Sequence, residues 1–364
     1  MIKKILPAMI GAALVGGMTN AVADVTAMGH IDTAILYQDP GAGFTANDTS
    51  STTNMVCTTC SFGFKGSEDL GNGLKAIFFI DFQYDTTERN RNDALTDRDQ
   101  WLGLDTGFGK VRLGTISTEY KSHGAMLDPI YRTVLQGRDI GLQSSLHTGA
   151  GDTTAQGRAT NTIRYDSPSF SGFQVMGHYT LQNETAQNSA DSPWGVGGQW
   201  QGGGFLVFAD YITSDTGGDD SAWDVGGRWG YKNFALFGMY EGDGGAISQN
   251  GNAVGSASGQ LGLPNAGPGF QDANNKGDGA DTWFVGGTAT FGNNMIYAAY
   301  GQQDDSTYLK DDFGIKTGYD AWNVVGVHNL SKRTLVYAGY AQNGPNDSDL
   351  ENIDWWTLGM KHTF

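Results

Sequence analysis

Alternation of apolar and polar positions with a period of two dominates the chain. From Leu74 to Asp85, Leu74, Ala76, Phe78, Ile80, Phe82 and Tyr84 form an apolar row, and Lys75, Ile77, Phe79, Asp81, Gln83 and Asp85 form a mostly polar one. Such a row predicts a strand with one face against an apolar medium and the other against water. Phe173, Val175, Tyr179 and Leu181 stand in the same way against Gln174, His178, Thr180 and Gln182, and Trp356, Leu358, Met360 and Phe364 against Thr357, Lys361 and Thr363. No helical period competes. Tight connections such as Asp69-Leu70-Gly71-Asn72-Gly73, Thr106-Gly107-Phe108-Gly109, Gly292-Asn293-Asn294 and Ser331-Lys332-Arg333 take turns with long polar ones. From Val25 to Phe364 the pattern predicts about sixteen antiparallel strands, an even number that suits a closed transmembrane β-barrel.

The segment 1–23 carries Lys3 and Lys4, an apolar run from Ile5 to Val15, and Ala21-Val22-Ala23, which together read as an export signal. The run is too short for a membrane helix, so residues 24–364 are expected to form one outer-membrane barrel, with tight turns toward the periplasm and long loops outside. Composition agrees: 55 glycines, 8 prolines, 12% aromatic residues and a mean hydropathy of −0.35 suit a wall whose alternate residues face lipid and water. A soluble secreted β-sandwich would instead need a shared aliphatic core and shorter loops. The net charge of −17 argues against nucleic acid as a partner and mildly favours cations in an enclosed aqueous path.

Several blocks resemble a known family, the trimeric general diffusion porins of Gram-negative bacteria of the type found in Neisseria and Burkholderia. They are Val25 to Asp32, Phe62-Gly63-Phe64-Lys65-Gly66-Ser67-Glu68-Asp69-Leu70-Gly71-Asn72-Gly73, Trp101-Leu102-Gly103-Leu104, Ile163-Arg164-Tyr165-Asp166-Ser167-Pro168, Leu330 to Thr334 and the closing Gly359 to Phe364. The resemblance implies a homotrimer in outer-membrane lipid, passing ions and small hydrophilic solutes without a cofactor. It also implies a third loop folded into the barrel, and a terminal aromatic, here Phe364, read by the barrel assembly machinery. Ser61-Phe62 and Gly114-Thr115-Ile116 stand where family members often carry arginine.

The candidate third loop runs from Ile116 to Gln156. Its Met126, Leu127, Ile130, Tyr131, Val134, Leu135 and Ile140 call for a packing partner, either the barrel interior or an ordered external lid. Folded inward, it is expected to turn Glu119, Asp128, Asp139 and Asp152 toward the channel. Strand parity sets Lys65, Lys75, Asp81, Arg112 and Arg164 on the water-facing wall opposite. Cys57 and Cys60 are expected to form a small disulfide near the end of the first long loop, the alternative being two free thiols, because export passes through an oxidising compartment. Two thiols alone do not complete a zinc site.

His30, His123, His147, His178, His328 and His362 are scattered, and neither a nucleophile elbow nor a phosphate loop is present, so no enzymatic activity is expected. A substrate-selective channel is the nearest alternative, with Tyr120 and Tyr131 on the loop as its aromatic candidates. An outer-membrane enzyme or adhesin is the more distant one.

Overall fold

A computed structural model of the protein describes residues 24–39, 51–87, 95–147, 157–181, 192–213, 221–249, 279–307, 310–311, 314, 316–347 and 350–364. The expected export signal at 1–23 lies outside these residues. Strands β1 (Asp24–Asp39), β2 (Thr52–Cys57), β3 (Ser61–Gly71), β4 (Leu74–Gln83), β5 (Thr96–Thr106) and β6 (Gly109–Ser117) come first. The long connection after β6 holds helices α1 (Glu119–Leu127) and α2 (Gly137–Ile140) and a 3-10 turn at Ser145–His147. Next come β7 (Arg158–Asp166), β8 (Phe173–Thr180), β9 (Trp194–Gly202), β10 (Phe205–Thr213), β11 (Ser221–Tyr231) and β12 (Phe234–Gly244). After the short α3 (Ala246–Gln249) follow β13 (Thr282–Phe291), β14 (Asn294–Gln303), β15 (Tyr319–Asn329), β16 (Thr334–Pro345) and β17 (Ile353–Thr363).

Neighbouring segments pair antiparallel in chain order, and β1 closes the sheet on β17 from His30↔Thr363 to Asp39↔Asp354. On its other edge β1 pairs with β3 as far as His30↔Ser61 and then with β2 from Thr33↔Cys57 onward. Segments β2 and β3 are therefore one wall strand, and the seventeen segments make a closed barrel of sixteen strands. At the break, Ile31 and Asp32 face Thr58, Thr59 and Cys60, so one strand carries an extra residue, with Thr59 in the left-handed region at φ 50°. The Cys57–Cys60 disulfide spans this bulge. It lies in the wall rather than in the loop where sequence spacing set it, with Cys60 buried and its sulfur accepting from the Asp32 backbone N–H at 3.3 Å.

Outward positions keep the apolar row exposed: Leu102 and Leu104, Val175, Val196, Val207, Val225, Leu236, Val285, Ile296, Val324 and Leu358 all lie on the surface. A belt of this size is stable only against an apolar medium. Aromatic pairs border it at both ends. Phe173–Trp200 and Phe205–Trp229–Tyr231 lie by the tight turns, and Trp194–Tyr211, Trp223–Tyr240, Trp283–Tyr300 and Trp322–Tyr340–Trp356 lie toward the long connections. Amphipathic rings favour this position at a lipid–water boundary. Among the described residues no helix is long and apolar enough to cross a membrane.

Candidate functional site

The connection between β6 and β7 turns into the barrel. Thr118 caps α1, its hydroxyl accepting from the Lys121 N–H at 3.3 Å, and Glu119 supplies the negative charge favoured in a first turn. Leu127, Ile130, Val134, Leu135, Ile140 and Leu142 then pack on the inner faces of β10 and β12–β17, against Phe208, Phe237, Phe284, Val325 and Trp355 among others. The hydrophobic core of the molecule thus fills one side of its own interior. Asn323 and Asn343 fasten this stretch by donating to the Leu135 and Ile140 carbonyls at 2.9 and 3.2 Å.

Polar contacts fix the ends of the loop. Glu119 pairs with His178 of β8 at 2.8 Å, and His123 pairs with Asp210 of β10 at 2.6 Å and reaches Gln199 of β9 at 3.1 Å. Glu241 of β12 binds both ends: Tyr120 Oη donates at 2.8 Å, Ser144 donates from its backbone N at 3.0 Å and from Oγ at 2.5 Å, and His147 Nε2 lies at 3.1 Å. Asp210, Asp224 and Glu241 are register partners on three successive strands, so the loop docks on a buried acidic row.

The opposite wall, from β4 to β8, remains charged. Arg98 of β5 donates to Asp81 of β4 at 2.9 Å and to Gln83 at 2.8 Å. Next to it, Asp99 accepts from Arg158 of β7 at 2.5 Å and from the Ser117 N–H and hydroxyl. Arg98 and Asp99 are adjacent in sequence yet both make interior contacts, because the β4–β5 register slips between Ile80 and Phe82 and the bulge re-aims one of them. Arg112 of β6 and Arg164 of β7 converge on Asp166. From the loop, Arg132 extends toward His30 and Asp81, Arg138 donates to the His147 carbonyl, and both guanidinium groups lie over the Tyr131 ring.

These contacts show where each expected residue lies. Lys65 and Lys75 are exposed on the inward parity, Asp81, Arg112 and Arg164 line the charged wall, and Asp139 lies beside Arg138 with its side chain 25% exposed. Glu119 and Asp128 are both buried. Glu119 is fully buried against the wall, and although burial pushes its carboxyl upward, the His178 hydrogen bond and charge, with Arg164, hold it below the usual range. Asp128 ends α1 and accepts the Ile130 and Gly137 backbone N–H groups at 3.0 and 2.8 Å. Asp152 lies outside the described residues. Phe364 is half exposed, exchanges two backbone hydrogen bonds with Gly29 and sets its ring where a Gly29 side chain would stand.

Burial raises the Asp128 carboxyl to about 6 in spite of its two backbone donors. A folded-state value above the unfolded one favours the protonated form. Its contribution is therefore present below about pH 4 and lost as pH rises through about 6, at most about 3 kcal/mol. Asp128→Asn is expected to flatten that part of the pH dependence, read by urea unfolding in detergent across this range; parallel profiles for the two proteins would contradict it.

Sequence reasoning passed over the loop's cations, Lys121, Arg132 and Arg138, and its docking partners His178, Asp210 and Glu241. One signal was available. Gly195 and Gly197 occupy successive inward positions of β9, and a side chain at either would collide with Glu119, and with His178 or Asp210 respectively. Glycine alternating with larger residues in a strand marks a close approach. Among the described residues, no group of three or more His, Cys, Asp or Glu side chains is placed to hold a metal ion.

Comparison with known proteins agrees with this geometry. A family model described as Gram-negative porin matches residues 8–348. Major outer membrane protein P.IB of Neisseria meningitidis serogroup B is 31% identical over 214 residues, 56% of this chain and 57% of that protein. The chain thus spans little more than half the length of such curated relatives. Among solved structures, an anion-selective porin from Comamonas acidovorans is similar in fold, with a TM-score of 0.71 at 20% identity over 94% of this chain and 100% of that one. The trimer form of OmpT from Vibrio cholerae is similar with a TM-score of 0.61 at 14% identity over 94% and 100% of the two chains.

Proposed function

The chain belongs to the Gram-negative porin family, and from that premise we propose that it is a passive, water-filled channel of the outer membrane through which ions and small hydrophilic solutes diffuse. The observation that carries this reading is the asymmetry of the interior. The inward loop packs its apolar side on β10–β17 and sets Arg132 toward the charged β4–β8 wall. A charged, hydrated constriction passes polar solutes and disfavours apolar ones.

Local charge, rather than the net charge of the chain, governs preference at such a constriction. Arg98, Arg112, Arg132, Arg138, Arg158 and Arg164 outnumber Asp81, Asp99, Asp139 and Asp166 there, which supports a preference for anions. This is the reverse of what the overall acidity suggested. Residues 1–23 are assigned to the export signal and 24–364 to the barrel. The apolar belt suits outer-membrane lipid, a homotrimer is the assembly proposed, as the trimer form of the Vibrio cholerae protein is for that fold, and Phe364 is the candidate mark for assembly. Catalysis finds little support. Ser144, His147 and Glu241 meet, but the serine hydroxyl donates to the carboxylate instead of the imidazole, and all three are buried.

Refolded protein in a planar bilayer under a salt gradient tests the reading. Ohmic steps with an anion-favouring reversal potential are expected, arriving in threes for a trimer. A folded barrel that never conducts would refute the channel, and a cation-favouring potential would refute the role given to the cationic side chains.

A further inference from the structure

Two aromatic rings stand on the inward face of the charged wall. Phe79 of β4 and Trp101 of β5 are register partners, one inward row away from Asp81 on one side and from Ile77 and Gly103 on the other. Their rings lie nearly parallel, 18° apart, with centroids at 5.8 Å. Both are only partly buried, and neither belongs to the core that the inward loop builds against β10 and β12–β17. On the β6 side, the Arg112 guanidinium lies 5.2 Å from the Trp101 ring centroid and is also paired with Asp166. Its stem reaches there across Gly103, where a side chain would press on the Arg112 Cγ at 3.0 Å. The stack thus runs from β6 to β4 and ends on Phe79. Beyond it the register partner on β3 is Lys65, which is exposed and, among the described residues, makes neither a hydrogen bond nor an ion pair. The loop's own aromatic candidates are engaged elsewhere: Tyr120 is buried and Tyr131 lies under two guanidinium groups.

We propose that Phe79 and Trp101 form a stacking subsite in the lumen for the ring of an aromatic carboxylate, with Lys65 as the partner of its carboxylate. Apolar rings left facing water, beside a few placed polar groups, are the usual make-up of a small-molecule site. Directly opposed residues on one face of a sheet have Cβ atoms about 5 Å apart, so the flexible Lys65 stem covers the edge of the stack and a planar acid the size of benzoate touches both. Asp81, the nearest acid on the same face of β4, is engaged by Arg98. Arg112 is a positioning residue, holding the Trp101 ring from the β6 side through a cation–π contact. The rings do the discriminating, so the subsite separates aromatic from aliphatic acids of equal charge. The inference rests on the channel reading, because a solute reaches these rings through the lumen.

The test is single-channel chloride conductance at constant ionic strength with benzoate, cyclohexanecarboxylate or acetate added at about pH 7, where all three are ionised. Wild type is expected to show a saturable reduction with benzoate, at concentrations about threefold or more below those needed with cyclohexanecarboxylate, and none with acetate. Phe79→Leu keeps an apolar side chain without the ring, and is expected to weaken the apparent benzoate affinity about three- to tenfold and bring the two cyclic acids level. Lys65→Gln is expected to weaken both cyclic acids about two- to fivefold without changing their order. Equal effects of benzoate and cyclohexanecarboxylate on wild type, or an unchanged benzoate affinity in Phe79→Leu, would overturn the stacking subsite. An unchanged affinity in Lys65→Gln would overturn the role given to its ammonium, and all of these results leave the channel reading standing. Absence of any conductance in folded wild type would bring down the channel reading and the subsite with it. Should Phe79→Leu fail to insert, the three acids on wild type and on Lys65→Gln, a change to an exposed side chain, decide alone.

Discussion

Glu241→Ala is expected to release the inward loop and give a channel of higher and noisier conductance. The carboxylate is fully buried and accepts from Tyr120 at one end of the loop and from Ser144 and His147 at the other. Truncation leaves those donors without an acceptor in a site closed to water. Stranding buried partners of this kind costs about 3–5 kcal/mol. Loss of one charge from the row that includes Asp210 and Asp224 offsets part of that cost. The wall keeps its backbone ladders, so the barrel should remain closed while the loop moves. Glu241→Gln retains one acceptor and should fall between the two. Single-channel recording settles the matter: wild-type conductance and noise in the Ala variant would mean that apolar packing alone holds the loop.

Asp81→Ala should act on stability and selectivity together. Asp81 is the buried acceptor for Arg98 and lies 3.8 Å from Arg132, and without it Arg98 keeps only Gln83 among its described acceptors. An uncompensated buried guanidinium costs about 3–5 kcal/mol. The same change removes a negative charge from the passage and should move the reversal potential further toward anions. Asp81→Asn separates the effects, since it makes the same charge change while keeping an acceptor for Arg98. Thermal unfolding in detergent and reversal potentials of both variants are the measurements. An unmoved potential in Asp81→Asn would show that charge at this position does not set selectivity.

Much of the wall follows from the period of two. The parity that turns Phe64 outward and Lys65 inward, or Tyr165 outward and Arg164 inward, is local geometry, and each strand carries it whatever its neighbours are. The loop's apolar residues likewise announced a packing debt, and the inner faces of β10–β17 meet it. The direction of the loop's acids is different in kind. Glu119 turns to the wall because His178 waits there, a partner on a strand that only barrel closure brings near. Asp128 is taken up by backbone donors at a helix end, a role its spacing does not distinguish from lining a channel. Bulges defeat parity outright: Arg98 and Asp99 both reach the interior because a residue is inserted between paired rows, and alternation has no term for that. The Thr-rich run at Thr52–Cys57 lacks an apolar row, so its place in the wall emerges only from pairing with β1.

The disulfide inside that wall orders events in time. Cys57 and Cys60 are three residues apart and are the only cysteines in the chain, so their bond can form in an unfolded segment and has no wrong partner to choose. Once β1 has paired on either side of the bulge, Cys60 is sealed from any thiol reagent. Cys57 beside it stays partly exposed, so an oxidant meeting a closed, reduced barrel reacts first at Cys57, and Cys60 completes the bond from within.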